Sequence, residues 1–233
     1  MTEANIAFVA GLLADPTRAA MCLALAGGEA RPAGELAARA GVSAQTASNH
    51  LAKLIAGRLL HVEQQGRWRY YRLAGAEVGH AVEALAVVAP PAPTPAAHDG
   101  MGGEARRLRN ARTCYSHLAG RLGVALADAL VAEGWMEENG RSYRLTPTGG
   151  RSLRALGIEV CAARREQPAA RRCLDWTERR PHLAGPVGTA LARLAFDRGW
   201  VRRVRGTRAV VVTTGGRAQL KKVFNLRWEE PRA

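Results

Sequence analysis

Residues 41–73 constrain the fold of this chain more than any other stretch. The segment GVSAQTASNHLAKLIAGRLLHVEQQGRWRYYRL predicts a turn, a helix, a strand, a Gly-containing turn and a second strand. Gly41 is placed to end a short helix over 34–40, and Ser43 stands where the N-cap of the next helix belongs. This order is typical of a helix-turn-helix with a β-wing, an arrangement that suits the reading of duplex DNA.

The second helix of this segment is amphipathic. Ala47, Leu51, Leu54 and Ile55 recur at helical spacing and predict the buried face. The residues predicted to contact DNA from the other face are Ser43, Gln45, Thr46, Ser48, Asn49, His50 and Lys53.

These residues are expected to have different roles. Gln45, Thr46 and Asn49 offer the donors and acceptors that meet base edges in a major groove. Ser48, His50 and Lys53 are expected to contact phosphate or to pack. The alternative is a solvated polar helix face without a partner.

The predicted wing consists of a strand over 59–63, a turn over 64–67 and an aromatic-rich strand over 68–73. Arg67 and Arg69 are candidates for contacts with the DNA backbone or the minor groove. The aromatic residues of the second strand are expected to pack the wing onto the helices, because base stacking belongs to single-stranded recognition. They are Trp68, Tyr70 and Tyr71.

Several spaced motifs together resemble the ArsR/SmtB family of winged-helix repressors over roughly residues 1–90. They are Asp15-Pro16-Thr17-Arg18, Gly34-Glu35-Leu36-Ala37, Val42-Ser43 with Thr46, Ser48-Asn49-His50-Leu51, and Gly66-Arg67 with Tyr70-Tyr71-Arg72-Leu73. The resemblance implies a homodimer formed by helices at about 3–14 and 75–89. It also implies binding to a double-stranded DNA operator that is relieved by a small effector.

Many members of that family sense metals, and their ligand positions can be checked one at a time. The run Glu29–Gly34, where a cysteine pair would fall, contains no cysteine. The start of the last helix, Gly75-Ala76-Glu77, lacks an Asp-x-His pair, which leaves only His80 and Glu83. A tetrahedral zinc site needs four donors. The sequence therefore predicts no metal site in this domain.

The net charge of +14 is distributed unevenly along the chain. Residues 1–88 carry +1, residues 89–160 carry +2 and residues 161–233 carry +11. This basic last third motivates a second hypothesis, a non-specific architectural nucleic-acid-binding protein. Four cysteines without close pairing fit a reducing cytoplasm, and the apolar segment 6–14 is too short for a membrane span. The chain is thus expected to be cytoplasmic, with no membrane partner.

The second half of the chain repeats itself after a Pro/Gly-rich linker predicted over 89–103. His117-Leu118-Ala119-Gly120 recurs as His182-Leu183-Ala184-Gly185, and Gly134-Trp135 as Gly199-Trp200. Each copy predicts a helix, a strand, a turn, a strand and a Thr-capped helix, with its tryptophan in the core. The predicted fold is mainly α with small β-wings (α+β): a winged helix-turn-helix over 1–88, winged-helix-like copies over about 104–160 and 161–226, and a tail over 227–233.

The predicted hairpins of the two copies differ in charge. The first is acidic over Glu137-Glu138-Asn139, whereas the second carries Arg202, Arg203 and Arg205. A basic hairpin can approach phosphate. We therefore expect the second hairpin to touch DNA backbone or to hold an acidic effector, the alternative being a solvated basic surface.

Cys114, His117, Cys173 and His182 are the candidates for effector sensing. Arginines beside Cys173 favour a thiolate and hence a thiol sensor. If Cys114 and His117 share a helix face and His182 joins them, the group could hold a soft metal or haem. Buried cysteines that act only as small hydrophobes, and an organic-ligand pocket lined by the tryptophans, stay open. No cofactor, metal or catalytic residue is assigned, and no catalytic motif occurs, so the protein is not expected to be an enzyme.

Overall fold

The computed structural model describes residues 4–66, 68–90, 102–159 and 169–229. The chain divides into two compact units, Met1–Ala89 and Pro90–Ala233. Arg67, Cys161 and most of the predicted linker lie outside the described residues. Within the described ranges, no single helix is long and apolar enough to cross a membrane. One helix pair, Ile6–Leu13 with Pro16–Leu25, passes that test together, with a 93° bend at its break.

The first unit is a winged helix-turn-helix. Its helices are α1 (Ile6–Leu13), α2 (Pro16–Leu25), α3 (Ala33–Ala40), α4 (Ala44–Ala56) and α5 (Ala76–Val88), and its strands are β1 (Arg31–Pro32), β2 (Leu60–Gln65) and β3 (Trp68–Leu73). The strands form an antiparallel sheet in the order β1-β3-β2. The mixture of helices and a small sheet confirms the predicted α+β class.

Local signals define the turn between α3 and α4. Gly41 ends α3 at a φ of +66°, a left-handed conformation that glycine adopts without a steric cost. The Ser43 side chain accepts a hydrogen bond from the Thr46 backbone N–H at 3.1 Å and so caps α4. Both predicted helix boundaries are confirmed.

The wing differs from its prediction in two respects. Strand β2 continues to Gln65, which pairs with Trp68, so the connecting turn is shorter than the predicted 64–67. Tyr71 is buried and Tyr70 is half-buried, but Trp68 is 54% exposed. The prediction that Trp68 packs the wing onto the helices is therefore wrong, because its position near the wing tip lies beyond the core that Tyr71 reaches.

The second unit begins with one helix and then shows the same element order twice, two strands, a helix, two strands and a helix. The opening helix is α6 (Gly102–Asn110), and the first series is β4 (Arg112–Cys114), β5 (His117–Ala119), α7 (Gly120–Ala132), β6 (Met136–Asn139), β7 (Ser142–Leu145) and α8 (Pro147–Ala155). The second is β8 (Ala170–Leu174), β9 (Pro181–Ala184), α9 (Gly185–Asp197), β10 (Val201–Arg203), β11 (Val210–Val212) and α10 (Thr214–Phe224).

The two series exchange strands. Strand β8 pairs with β7 of the first series, which gives a four-stranded sheet in the order β6-β7-β8-β9. Reciprocally, Arg112 of β4 bridges Ala209 beside β11. The leading hairpins β4–β5 and β8–β9 were not predicted from the sequence, and they make the halves interdependent rather than two self-contained winged helices.

The core of the second unit includes residues from both series. Phe224 of α10 packs edge-on against Trp135 and Trp200, with ring centroids 5.4 and 6.1 Å apart, respectively. Thr146 and Thr213 cap α8 and α10, each accepting a backbone hydrogen bond at 2.9 Å. Trp228 is also buried in this core, so the packed unit continues into the segment predicted to be a tail.

Candidate DNA-reading face and a buried cysteine–histidine cluster

Helix α4 has one face in the core and one face in solvent. Ala47, Leu51 and Leu54 are buried against the other helices and the sheet, as the spacing predicted, and Ile55 is half-buried. The exposed side chains are Ser43, Gln45, Thr46, Ser48, Asn49 and Lys53. The core contacts thus fix the rotation of α4 and present the predicted contact residues together on one surface.

Contacts within the protein already engage some of these side chains. The Ser43 and Thr46 hydroxyls lie 2.9 Å apart and hydrogen-bond to each other, and the Ser43 hydroxyl also caps the helix. His50 is half-buried, and its Nδ1 lies 3.4 Å from an Asp15 carboxylate oxygen. Gln45 and Asn49 are therefore the exposed amides best placed to meet base edges.

The basic candidates outside α4 occupy two hairpins, one in each unit. Arg69 of the wing is exposed, with its guanidinium 5.8 Å from the centroid of the Tyr71 ring. Arg202 and Arg205 are exposed in the hairpin between β10 and β11. Arg203 stacks on the Phe196 ring at 4.4 Å and so contributes to packing as well as to charge.

The structure brings the four sensing candidates together in the second unit. Cys114 of β4 lies opposite His117 of β5, and Cys173 of β8 lies opposite His182 of β9. Cys114 and His117 thus face each other across a hairpin, and the expectation that they share a helix face is wrong. Strands β4 and β5 have three residues each and are buried throughout, so they show no alternation of polar and apolar positions that would predict a hairpin.

The ligand atoms of these four residues converge on one point. The two thiol sulfurs and one nitrogen from each imidazole all lie within 4.8 Å of one another. The Nε2 atoms of His117 and His182 are 3.0 Å apart. Cys114, His117 and His182 are buried and Cys173 is half-buried.

A buried ion pair between Asp175 and Arg112 lies next to this cluster. Arg112 donates to Asp175 Oδ2 at 2.9 Å, and both side chains are almost completely buried. The Gly120 backbone N–H donates to the same oxygen at 2.7 Å, and Thr177 donates to Oδ1 from its backbone and its hydroxyl.

The surroundings of Asp175 keep it ionised. Burial by itself raises the pKa of this carboxyl, but the Arg112 guanidinium and the hydrogen bonds from Thr177, Gly120 and Glu178 outweigh it. They lower the pKa from 3.8 to about 2. The carboxylate therefore carries its charge throughout the physiological pH range.

The surroundings of Cys114 raise the pKa of its thiol, in contrast to the lowered pKa of Asp175. A hydrogen bond with Cys173 and burial raise its pKa from 9.0 to about 11, although His117 and His182 act in the opposite direction. Oxidants and electrophiles attack the thiolate rather than the thiol. This pKa therefore disfavours Cys114 as a rapid oxidant sensor.

An organic-ligand pocket lined by the tryptophans was one alternative left open by the sequence. Phe224 fills the space between Trp135 and Trp200. An open, mostly polar cavity of about 340 Å³ lies elsewhere in the second unit, beside Arg121, Asp128 and Trp228.

Comparison with known proteins identifies the family. A family model described as a helix-turn-helix domain matches residues 13–63. The uncharacterized HTH-type transcriptional regulator YdfF of Bacillus subtilis (strain 168) is 40% identical over 224 residues, which covers 96% of this chain and 98% of the relative. The chain belongs to the HTH-type transcriptional regulators. This regulator is a DNA-binding protein with a winged helix-turn-helix, and it belongs with transcriptional regulators rather than with enzymes.

Two similar solved structures each match less than half of the regulator. The homodimeric winged helix-turn-helix domain of Mb0332 from Mycobacterium bovis is 32% identical and covers 36% of this chain and 76% of that chain, with a TM-score of 0.34. The cadmium metal-sensor CMTR of Mycobacterium tuberculosis is 34% identical and covers 40% of this chain and 98% of that chain, with a TM-score of 0.31. By contrast, the similarity to YdfF extends through the second unit.

Proposed function

We propose that the protein is a dimeric, sequence-specific repressor that binds a palindromic operator and leaves it when the second unit detects a small effector. The observation that carries the proposal is the solvent-exposed face of α4, where Gln45 and Asn49 lie on one surface. A recognition helix of this kind enters the major groove, and the wing follows the adjacent backbone. Cys22, Cys114 and Cys173 form no disulfide within the described residues, which fits a place of action in the cytoplasm.

Exposed apolar side chains on α1 and α5 support the dimer. Ile6 and Phe8 of α1 are 76% and 54% exposed, and Val88 of α5 is 78% exposed. An apolar cavity of about 150 Å³ lies between Leu23 of α2 and Leu85 of α5, and Leu13 of α1 also lines it. Exposed apolar side chains on both the first and the last helix of the unit favour burial against a second copy of the chain.

The exposed amides of α4 provide the first test. Replacing Gln45 or Asn49 by alanine is expected to cost about 1–3 kcal/mol of operator binding, because each amide can read one base edge. The preference for the operator base over the other three bases should weaken at one position in each half-site. Fluorescence anisotropy with an operator series that carries single base changes measures both effects.

Two controls separate base reading from charge. Lys53→Ala should weaken binding to every sequence about equally and reduce the slope of log affinity against log salt by about one. Asn139→Ala removes an exposed amide from the second unit and should leave operator binding unchanged.

The operator is found by footprinting the DNA beside the protein's own gene. The protein should prefer it to random DNA by about 10³–10⁷-fold. A preference of less than tenfold would contradict the proposal and favour the architectural nucleic-acid-binding alternative.

The basic hairpin of the second unit is proposed to contact DNA backbone beside the operator. Replacing Arg202 and Arg205 together by alanine should then reduce the salt slope by about two. Arg203 stays unchanged, because its stacking on Phe196 would mix a folding effect with a binding effect. The matched control is Arg151→Ala with Arg154→Ala, which removes two exposed charges from α8. An unchanged slope in the hairpin variant would show that this surface does not meet DNA.

A further inference from the structure

Each series of the second unit contributes one cross-strand Cys–His pair to the cluster. Cys114 and His117 come from the first series, and Cys173 and His182 come from the second. Side chains directly opposite each other on antiparallel strands are held close together. The exchange of strands between the series then brings the two pairs face to face, so that all four donor atoms lie within 4.8 Å.

These spacings approach those of a tetrahedral zinc site. Zinc binds cysteine sulfur at about 2.3 Å and histidine nitrogen at about 2.0–2.1 Å, which places two nitrogens about 3.3 Å apart and two sulfurs about 3.8 Å apart. The His117 and His182 Nε2 atoms, at 3.0 Å, are already near that separation. Shifts of about 1 Å or less would bring the other donors to the required distances.

The second imidazole nitrogen of His182 is also placed as zinc ligands require. Its Nδ1 is buried, makes no hydrogen bond within the described residues and lies 3.5 Å from Asp175 Oδ2. A metal-binding histidine usually directs its other nitrogen at a carboxylate, which fixes the ring orientation. Arg112 and Gly120 hold that carboxylate in place.

Two glycines allow the helices to approach the histidine strands. A Cβ at Gly123 of α7 would lie 3.4 Å from the Cβ of His182, and one at Gly188 of α9 would lie 3.4 Å from the Cβ of His117. The same added atoms would lie 2.5 and 2.2 Å from the carbonyl oxygens of Leu118 and Leu183, respectively. Glycine at both positions therefore permits the close packing that sets the cluster geometry.

We propose that Cys114, His117, Cys173 and His182 bind one Zn²⁺ ion in a tetrahedral site that joins the two halves of the second unit. Two sulfur and two nitrogen donors in a tetrahedral arrangement suit a single zinc ion, whereas magnesium and calcium take oxygen ligands. Haem takes its axial ligands one on each side of a large planar ring and does not need four donors at one point. The inference goes beyond the repressor function, since the zinc site can be tested without reference to the operator.

Four protein ligands make the site closed and therefore structural. Zinc would add a direct link between hairpins that strand pairing, the Asp175–Arg112 pair and side-chain hydrogen bonds already hold together. When free zinc is about 1,000 times the dissociation constant, binding is expected to raise the melting temperature of the second unit by roughly 10 °C.

The test uses the full-length protein, stripped with a chelator and reloaded with Zn²⁺ or Co²⁺. Elemental analysis should find one ion per chain. The Co²⁺ form should show the visible bands of a tetrahedral ion and a thiolate charge-transfer band. X-ray absorption on the zinc form should show two sulfurs at about 2.3 Å and two nitrogens at about 2.0–2.1 Å.

Variants assign the ligands. Cys173→Ser should lower zinc affinity at least 100-fold and remove about half of the charge-transfer intensity, since one of the two expected thiolate ligands is lost. Cys22→Ser removes a buried cysteine from the first unit. It should change neither the zinc affinity nor the charge-transfer intensity.

Three results would overturn the zinc site. They are fewer than two sulfurs around the zinc of the unaltered protein, equal metal content in the folded Cys114→Ser/Cys173→Ser variant, and a Cys114–Cys173 disulfide that forms in place of metal binding. Operator affinity, measured separately on stripped and loaded protein, keeps a failure of the repressor proposal distinct from a failure of the zinc proposal.

Discussion

Replacing Asp175 by alanine is expected to lower the free energy of unfolding of the second unit by about 3–5 kcal/mol. The substitution leaves the Arg112 guanidinium buried without its anion, and an uncompensated buried charge is among the costliest defects in a protein. It also removes the acceptor for the backbone N–H groups of Gly120, Thr177 and Glu178. The full-length protein is unfolded with urea in the presence of a chelator, so that metal binding does not contribute.

Tryptophan fluorescence follows this transition, because Trp135, Trp176, Trp200 and Trp228 all lie in the second unit. The control is Asp128→Ala, which breaks an exposed ion pair with Arg180 and should cost no more than about 1 kcal/mol.

A double variant completes the Asp175 experiment. Arg112→Met in the Asp175→Ala background should recover part of the lost stability, because it removes the unpaired charge while keeping most of the side-chain volume. If Asp175→Ala lowered the free energy of unfolding by less than about 1 kcal/mol, the ion pair would not stabilise the part of the second unit that holds the cluster.

Placing a charge on the proposed dimer surface is expected to reduce operator affinity by about 10²–10⁴-fold. Phe8→Asp and Val88→Asp together put carboxylates on exposed apolar positions of α1 and α5. A monomer contacts only one half-site and loses the high effective concentration that a dimer provides for the second. Analytical ultracentrifugation measures the assembly state, and anisotropy measures the affinity for the whole operator and for a single half-site.

The dimer prediction has a matched control and a clear contrary outcome. Ala132→Asp places the same charge on an exposed apolar residue of the second unit, away from the basic hairpin, and should alter neither assembly nor affinity. The double variant should bind a single half-site about as well as the parent does, since α4 is untouched. A parent protein that is monomeric at the concentrations where it fills the operator would contradict the proposal.

The DNA-reading segment could be predicted from the sequence because its signals are local. A helix cap at Ser43, a left-handed residue at Gly41 and the apolar spacing of α4 each act within a few residues. The wing tip was predicted less well, since the exposure of Trp68 depends on how far the core extends beneath the strand. The structure leaves the DNA contacts themselves as predictions.

The sequence by itself determined the DNA-reading element, the uneven charge and the repetition of the second half, because these depend on residue type and short-range spacing. Only the tertiary structure decided that Cys114, His117, Cys173 and His182 meet at one point. His117 and His182 are 65 residues apart, and the hairpins that carry the four donors have strands of three to five residues, too short to show a clear pattern. Their convergence comes from long-range strand pairing and from the close packing that Gly123 and Gly188 allow, and neither is encoded in local sequence periodicity.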